Sequence, residues 1–115
     1  MSHMCVPPVA GMQVSRLRVV GDTKAVYFML DQMALLRFRI KSVEIDVQAP
    51  GGIVVHPYRV RSATTAKRVL ADLLASGVEN VSVMIEIEQK ILTDIDELLF
   101  KSFNTMFSKV CVVEI

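Results

Sequence analysis

Long apolar runs, aromatics and cysteine are all scarce in this chain, and each shortage excludes something. No uninterrupted apolar stretch approaches the ~20 residues that a helix needs to cross a bilayer, so no membrane partner is expected. Aromatic residues make up only 6% of the chain and tryptophan is absent, which argues against a platform that holds nucleic-acid bases by stacking. The two cysteines, Cys5 and Cys111, stand near opposite ends of the chain. They offer neither CxxC spacing nor a disulfide framework, which fits a reducing compartment and a cytoplasmic location. Histidine is equally thin. Met1 to Met4 reads Met-Ser-His-Met, the pattern of an expression-vector scar, which leaves His56 as the one histidine to weigh. No catalytic, metal or nucleotide motif is present, so an enzyme is not the expected reading and no cofactor or metal is implied.

What the chain does have is apolar surplus and divided charge. At 115 residues with 52% hydrophobic content and mean hydropathy +0.44, it is long enough for one domain that buries roughly two-thirds of its unfolded surface. A small interior cannot hold all of that apolar material, so part of it is expected on surfaces covered by a partner, most simply another copy of the chain. Residues 1–71 carry ten Lys/Arg against four Asp/Glu, and residues 72–115 carry three against eight. The net charge of +1 therefore hides a basic part followed by an acidic part. Either an anionic partner answers the first, or the two parts neutralise each other.

Periodicity places the elements. Residues 1–11 read as the scar followed by a disordered tail, because Pro7 and Pro8 restrain the backbone, and the ordered domain is expected over 12–115. Leu17 and Val19 alternate with Arg16 and Arg18 as in a half-buried strand ending at Gly21. Asp22 is the expected N-cap of a helix over 22–39 with Val26, Met29, Met33, Leu36 and Ile40 on its buried stripe and Arg37, Arg39 and Lys41 near its C-terminal dipole. Val43, Ile45 and Val47 form the next strand, Ala49 to Gly52 a turn, and Ile53 to Val60 a returning strand disturbed at Pro57. Ser62 or Thr64 caps a second helix with Ala66, Val69, Leu70, Leu73 and Leu74 inward, stopped at Gly77. Val81 to Ile87 alternate as a fourth strand that could extend to Ile91.

The order so far is strand, helix, strand, strand, helix, strand. That is the βαββαβ pattern of a ferredoxin-like α+β sandwich, with two helices on one sheet face and the first and third strands central. An additional C-terminal helix and strand follow. Thr93 and Asp96 resemble a capping box, and Ile95, Leu98, Leu99, Ser102, Phe103 and Met106 occupy one broad face. Val110 to Ile115 closes the chain.

Arg59 to Arg68 is the segment with most chemical promise. Its cations Arg59, Arg61, Lys67 and Arg68 and its hydroxyls Ser62, Thr64 and Thr65 gather at a helix start, where free N–H groups and the dipole favour an anion. A phosphate-containing ligand or nucleic acid is the partner this segment would take, although it has no glycine-rich cradle. Capping hydroxyls are needed at any helix start, and helix cations usually belong to a solvated face. On the sheet, Arg16, Arg18, His56 and Tyr58 are expected on one face, with Glu44, Asp46, Glu86 and Glu88 beside them, so the positives meet cross-strand negatives. Asp94, Asp96 and Glu97 suit the first turn of the last helix, and Glu97 can pair with Lys101. Cys111 reads as a small apolar filler.

Phe100, Phe103 and Phe107 broaden the apolar surface of the last helix beyond what one sheet face covers. They are the interface candidates if that helix does not fold back over the sheet. The expectation is thus a non-enzymatic, homo-oligomeric binding or regulatory module. Its alternatives are a nucleic-acid-associated subunit using residues 59–68 and a small-molecule-binding regulator or minor enzyme with His56, Tyr58 and Arg59 at a subunit interface.

Overall fold

The computed structural model describes residues 4–48 and 54–114. Strands β1 (Met4–Val6), β2 (Gln13–Asp22), β3 (Ile40–Gln48), β4 (Val54–Val60), β5 (Asn80–Ile91) and β6 (Lys109–Glu114) form one sheet. Helices α1 (Thr23–Leu35), α2 (Ala63–Ala75) and α3 (Asp94–Asn104) complete a mixed α+β architecture. The strand order is β1-β6-β2-β5-β3-β4, and every neighbouring pair is antiparallel.

This corrects two expectations. The sheet has six strands, and the strands of the βαββαβ segment line up as β2-β5-β3-β4. Its fourth and second strands are therefore central, whereas the ferredoxin-like reading put the first and third there. The period of a strand says which residues share a face but not which neighbour it takes, so alternation could not settle the order. The N-terminal residues also belong to the sheet. Met4 to Val6 pair with β6, Cys5 opposite Val113 and Val6 opposite Val112, where a tail ending before Met12 was expected. Cys5 and Cys111 are joined as a disulfide, their Cα atoms 5.2 Å apart. The fold brings together what the sequence holds far apart, and the two cysteines no longer point to a reducing compartment. No helix among the described residues is long and apolar enough to cross a membrane.

Helix boundaries follow their caps. Asp22 accepts the Ala25 N–H at 3.0 Å and Ser62 accepts the Thr65 N–H at 3.1 Å. Thr93 and Asp96 make the full reciprocal capping box. Helix α2 ends in a Schellman arrangement in which the Val78 N–H reaches the Leu73 carbonyl and the Gly77 N–H the Leu74 carbonyl, with Gly77 at φ +89°. Helix α1 ends the same way four residues before the sequence suggests: Phe38 N–H donates to Met33 and Arg37 N–H to Ala34, and Arg37 holds φ +64°. That turn releases the chain into β3, so Ile40 is a strand residue and Arg39 pairs at 3.7 Å with Glu88 across the sheet edge of the turn.

All three helices close over one face. Leu17, Val19, Val43, Ile45, Val81, Val83, Ile85 and Ile87 point into a core shared with Val26, Met29, Leu30 and Met33 of α1, Ala66 and Leu70 of α2, and Phe100 and Phe103 of α3. The phase of α3 differs from expectation. Its buried line is Asp96, Phe100 and Phe103, continuing to Phe107, while Ile95, Leu98 and Met106 are exposed. Phe38, Phe100, Phe103 and Phe107 form a chain of edge-on rings with centroids 5.8 to 6.0 Å apart. Phe107 lies so close to β2 that a Cβ on Gly21 would stand 2.7 Å from its Cδ1. Gly21 continues the strand and makes room for the ring. The phenylalanines proposed for an interface are thus core residues, because α3 folds back over the sheet. Pro57 falls in β4, an edge strand, where a missing N–H is tolerated. The turn expected at Ala49 to Gly52 lies outside the described residues.

Candidate functional site

The face of the sheet away from the helices remains open, and the strand register fixes what it presents. Arg18 of β2 pairs with Met84 of β5, Met84 with Glu44 of β3, and Glu44 with Arg59 of β4. One row across the sheet therefore reads Arg18, Met84, Glu44, Arg59. The next row places Arg16 opposite Glu86 and Glu86 opposite Ser42. On the other side Ser82 pairs with Asp46. Together Arg16, Arg18, Ser42, Glu44, Asp46, Arg59, Met84 and Glu86 line a shallow concavity of about 280 Å³.

Three guanidinium groups and three carboxylates share this surface. Among the described residues none of the six closes an ion pair at 4.0 Å or less. Among the described residues of this face, a side-chain hydrogen bond runs from Arg18 Nη1 to Ser82 Oγ at 3.3 Å. The expected juxtaposition of opposite charges is present as neighbouring positions, Arg16 with Glu86 and Glu44 with Arg59. The groups nevertheless stay apart, as charged side chains do when pairing brings little net gain; Glu44 and Arg59 are exposed and Arg16, Arg18, Asp46 and Glu86 half-buried. They are therefore available to an incoming surface.

Tyr58 is not part of this set. It stands opposite Ile45, on the buried side, next to Val69, Asp72, Leu73 and Ser76 of α2. Parity along β4 sends Arg59 to the open face and its neighbour Tyr58 to the helices. His56 occupies the register position opposite Val47, and its side chain lies outside those described. The expected grouping of His56 and Tyr58 with Arg16 and Arg18 fails at Tyr58, and the open face carries no aromatic ring among the described residues.

The basic segment is not gathered into one site. Arg59 lies on the open sheet face, whereas Lys67 turns the other way to Asp31 of α1, with Nζ 2.6 Å from Oδ1 and 5.7 Å from the Tyr27 ring centroid. The hydrogen bond to Asp31, opposed by partial burial and helped by the carboxylate charge, raises the Lys67 pKa above its ordinary value. Ser62 Oγ is occupied by its cap and by the Thr65 hydroxyl at 3.0 Å. Arg61, Thr64 and Arg68 are exposed separately.

One charged group among the described residues is buried, and from the sequence it read only as a partner of the helix dipole and cap. Asp96 is 2% exposed. Its carboxylate accepts from the Thr93 N–H at 2.8 Å and from Lys90 Nζ, which itself sits 4.2 Å from the Phe38 ring centroid. Burial pushes the Asp96 carboxyl up, but the bonds from Lys90 and Thr93 outweigh it and hold the pKa below the usual carboxylate value. All its partners are protein groups, which makes it a fastening of α3 onto β5. Glu97 in the same turn accepts from the Ala10 N–H at 3.0 Å and lies 3.8 Å from Lys101. The described residues contain no group of three or more His, Cys, Asp and Glu side chains able to hold a metal ion. Comparison with known protein families, curated protein sequences and solved structures finds no match for this chain.

Proposed function

We propose that this protein is a non-enzymatic binding or regulatory module that works as a homo-oligomer through the open face of its sheet. The observation that carries the reading is the register of that face: three arginines and three carboxylates surround one concavity without pairing to one another. Arginine and methionine are favoured at protein interfaces, where a planar guanidinium sheds water at less cost than an ammonium. The balance of signs also selects among partners. A polyphosphate would meet Glu44, Asp46 and Glu86 as well as the arginines, so a surface of mixed charge is the better complement.

The alternatives have less behind them. A nucleic-acid-associated subunit would need residues 59–68 to act together, and Lys67 is engaged by Asp31 while Arg59 faces elsewhere. A small-molecule regulator or enzyme built on His56, Tyr58 and Arg59 would need neighbours on one strand to share a face. Static light scattering across the micromolar range tests the reading. The expected mass is at least twice 12.8 kDa, with no retention of an unstructured oligonucleotide at low salt. A monomer at every concentration, or tight salt-sensitive oligonucleotide binding, overturns it.

A further inference from the structure

We infer that the occupant of the open face is a second copy of this chain, docked sheet to sheet about a twofold axis parallel to β5. This rests on the homo-oligomer reading and deepens it by naming the surface and the pairs. Strand β5 lies between β2, which brings Arg16 and Arg18, and β3, which brings Glu44 and Asp46. Neighbouring strands are ~4.8 Å apart, so the basic and acidic strands stand at equal distances on the two sides of β5. Rotation by 180° about an axis along β5 keeps each row level and exchanges the two sides. It lays β2 of each copy over β3 of the other.

The row through Met84 then matches itself. Arg18 faces the partner's Glu44, Glu44 faces the partner's Arg18, and Met84 meets its own copy on the axis. Packed sheets lie ~10 Å apart, a gap that an arginine and a glutamate reaching from opposite sides fill. Each pair occurs twice, as an isologous contact requires. An axis across the strands would place Arg18 over the partner's Arg18 and is disfavoured by charge. With ~3.3 Å per residue along the strands, the face offers several hundred Å² to each partner, on the order of the ~800 Å² of a standard interface. Not every position gains: the same rotation lays Arg59 over the partner's Cys111 and Asp46 over the partner's Val20, where neither meets an opposite charge. Glu86 also lies on β5 and meets its own copy near the axis, moderated by Arg16 beside it.

These signs define the experiment. Arg18→Glu faces the partner's Glu44 with like charge, and Glu44→Arg faces the partner's Arg18 with like charge. Each variant alone is expected to dimerise at least about tenfold more weakly than the unmodified chain, measured by sedimentation velocity at low salt. An equimolar mixture of the two restores both pairs and is expected to form the heterodimer, which also shows that both variants are folded. Glu86→Gln is expected to tighten the dimer. If the unmodified protein dimerises but neither charge reversal weakens it, or the mixture stays monomeric, this interface is overturned while the homo-oligomer reading stands. If the unmodified protein is a monomer, both fall.

Discussion

Leu17, Val19, Val43, Ile45, Val83 and Ile85 share their strands with Arg16, Arg18, Glu44, Asp46, Met84 and Glu86, residue by residue in alternation. One set lies under three helices and is sealed from water; the other lies on the opposite face and keeps its charges unpaired. The difference shows how a single sheet divides its duties. On the closed face each side chain is fixed by neighbours on several elements, so a change of shape propagates into stability. On the open face the neighbours are water and two strands, so a change of charge alters recognition and leaves the fold nearly untouched.

The closed face breaks most severely at Phe100. Its side chain is fully buried between the Phe38 and Phe103 rings, where it ties α3 to the rest of the core. Phe100→Ala is expected to cost about 3–5 kcal/mol of unfolding free energy, measured by denaturant titration, since the lost transfer energy is joined by a cavity that the packed rings cannot fill. A loss below 1 kcal/mol would mean that α3 is not fastened to the sheet and would reopen the question of which phenylalanines are exposed.

A charge on the closed side behaves unlike the six on the open side, and Asp96 tests that contrast. Its folded pKa lies below the unfolded one because the Lys90 and Thr93 bonds overcome burial. A depressed carboxyl contributes its full stability above the unfolded value of ~3.9 and loses it as pH falls through the folded value. Unfolding free energy is therefore expected to drop on acidification below about pH 5, and Asp96→Asn is expected to remove part of that slope. At neutral pH the substitution should cost about 2 kcal/mol, less than for a fully enclosed pair because the Lys90 side chain retains some contact with water. Chemical denaturation at a series of pH values from 2 to 7 gives both quantities. An acid slope unchanged by Asp96→Asn would remove this carboxylate from the account.

These residues also show what the sequence made legible. The period of two in β2, β3 and β5 identified the buried positions and put Arg16 and Glu86 on one face, because alternation and face are the same information, while their direct opposition came from the register. The caps at Asp22, Ser62 and Thr93 were equally readable, since a hydroxyl or carboxylate at a helix start has a local partner. Three things were not local. The phase of α3 was misplaced by one position because Ile95 and Leu98 make a good stripe by count, while the Phe100, Phe103 and Phe107 rings carry more area to bury. Asp96 looked like a dipole partner because Lys90, which buries it, sits on another element. Cys5 looked unpaired because β1 and β6, far apart in the chain, are neighbours only in the folded sheet. The open face was half legible: its charges were foreseen, but the row that puts Met84 between Arg18 and Glu44 depends on the strand order.

The smallest effect expected lies at the seam between helix and sheet, where backbone geometry acts without either face. Arg37 and Gly77 end α1 and α2 in the same Schellman arrangement, at φ +64° and +89°. Left-handed backbone is strained for a residue with a Cβ and unstrained for glycine. The Arg37 side chain is exposed and belongs to no ion pair among the described residues, so replacement removes the strain without removing packing. Glycine also gains freedom in the unfolded chain, which offsets part of the benefit. Arg37→Gly is therefore expected to stabilise the fold by about 0.5 kcal/mol, read as a higher denaturant midpoint with unchanged slope. Since Arg37 lies on neither the core nor the concavity, the self-association constant of this variant should match that of the unmodified chain. A loss of stability would show that the arginine side chain holds the end of α1 in a way that the left-handed turn alone does not.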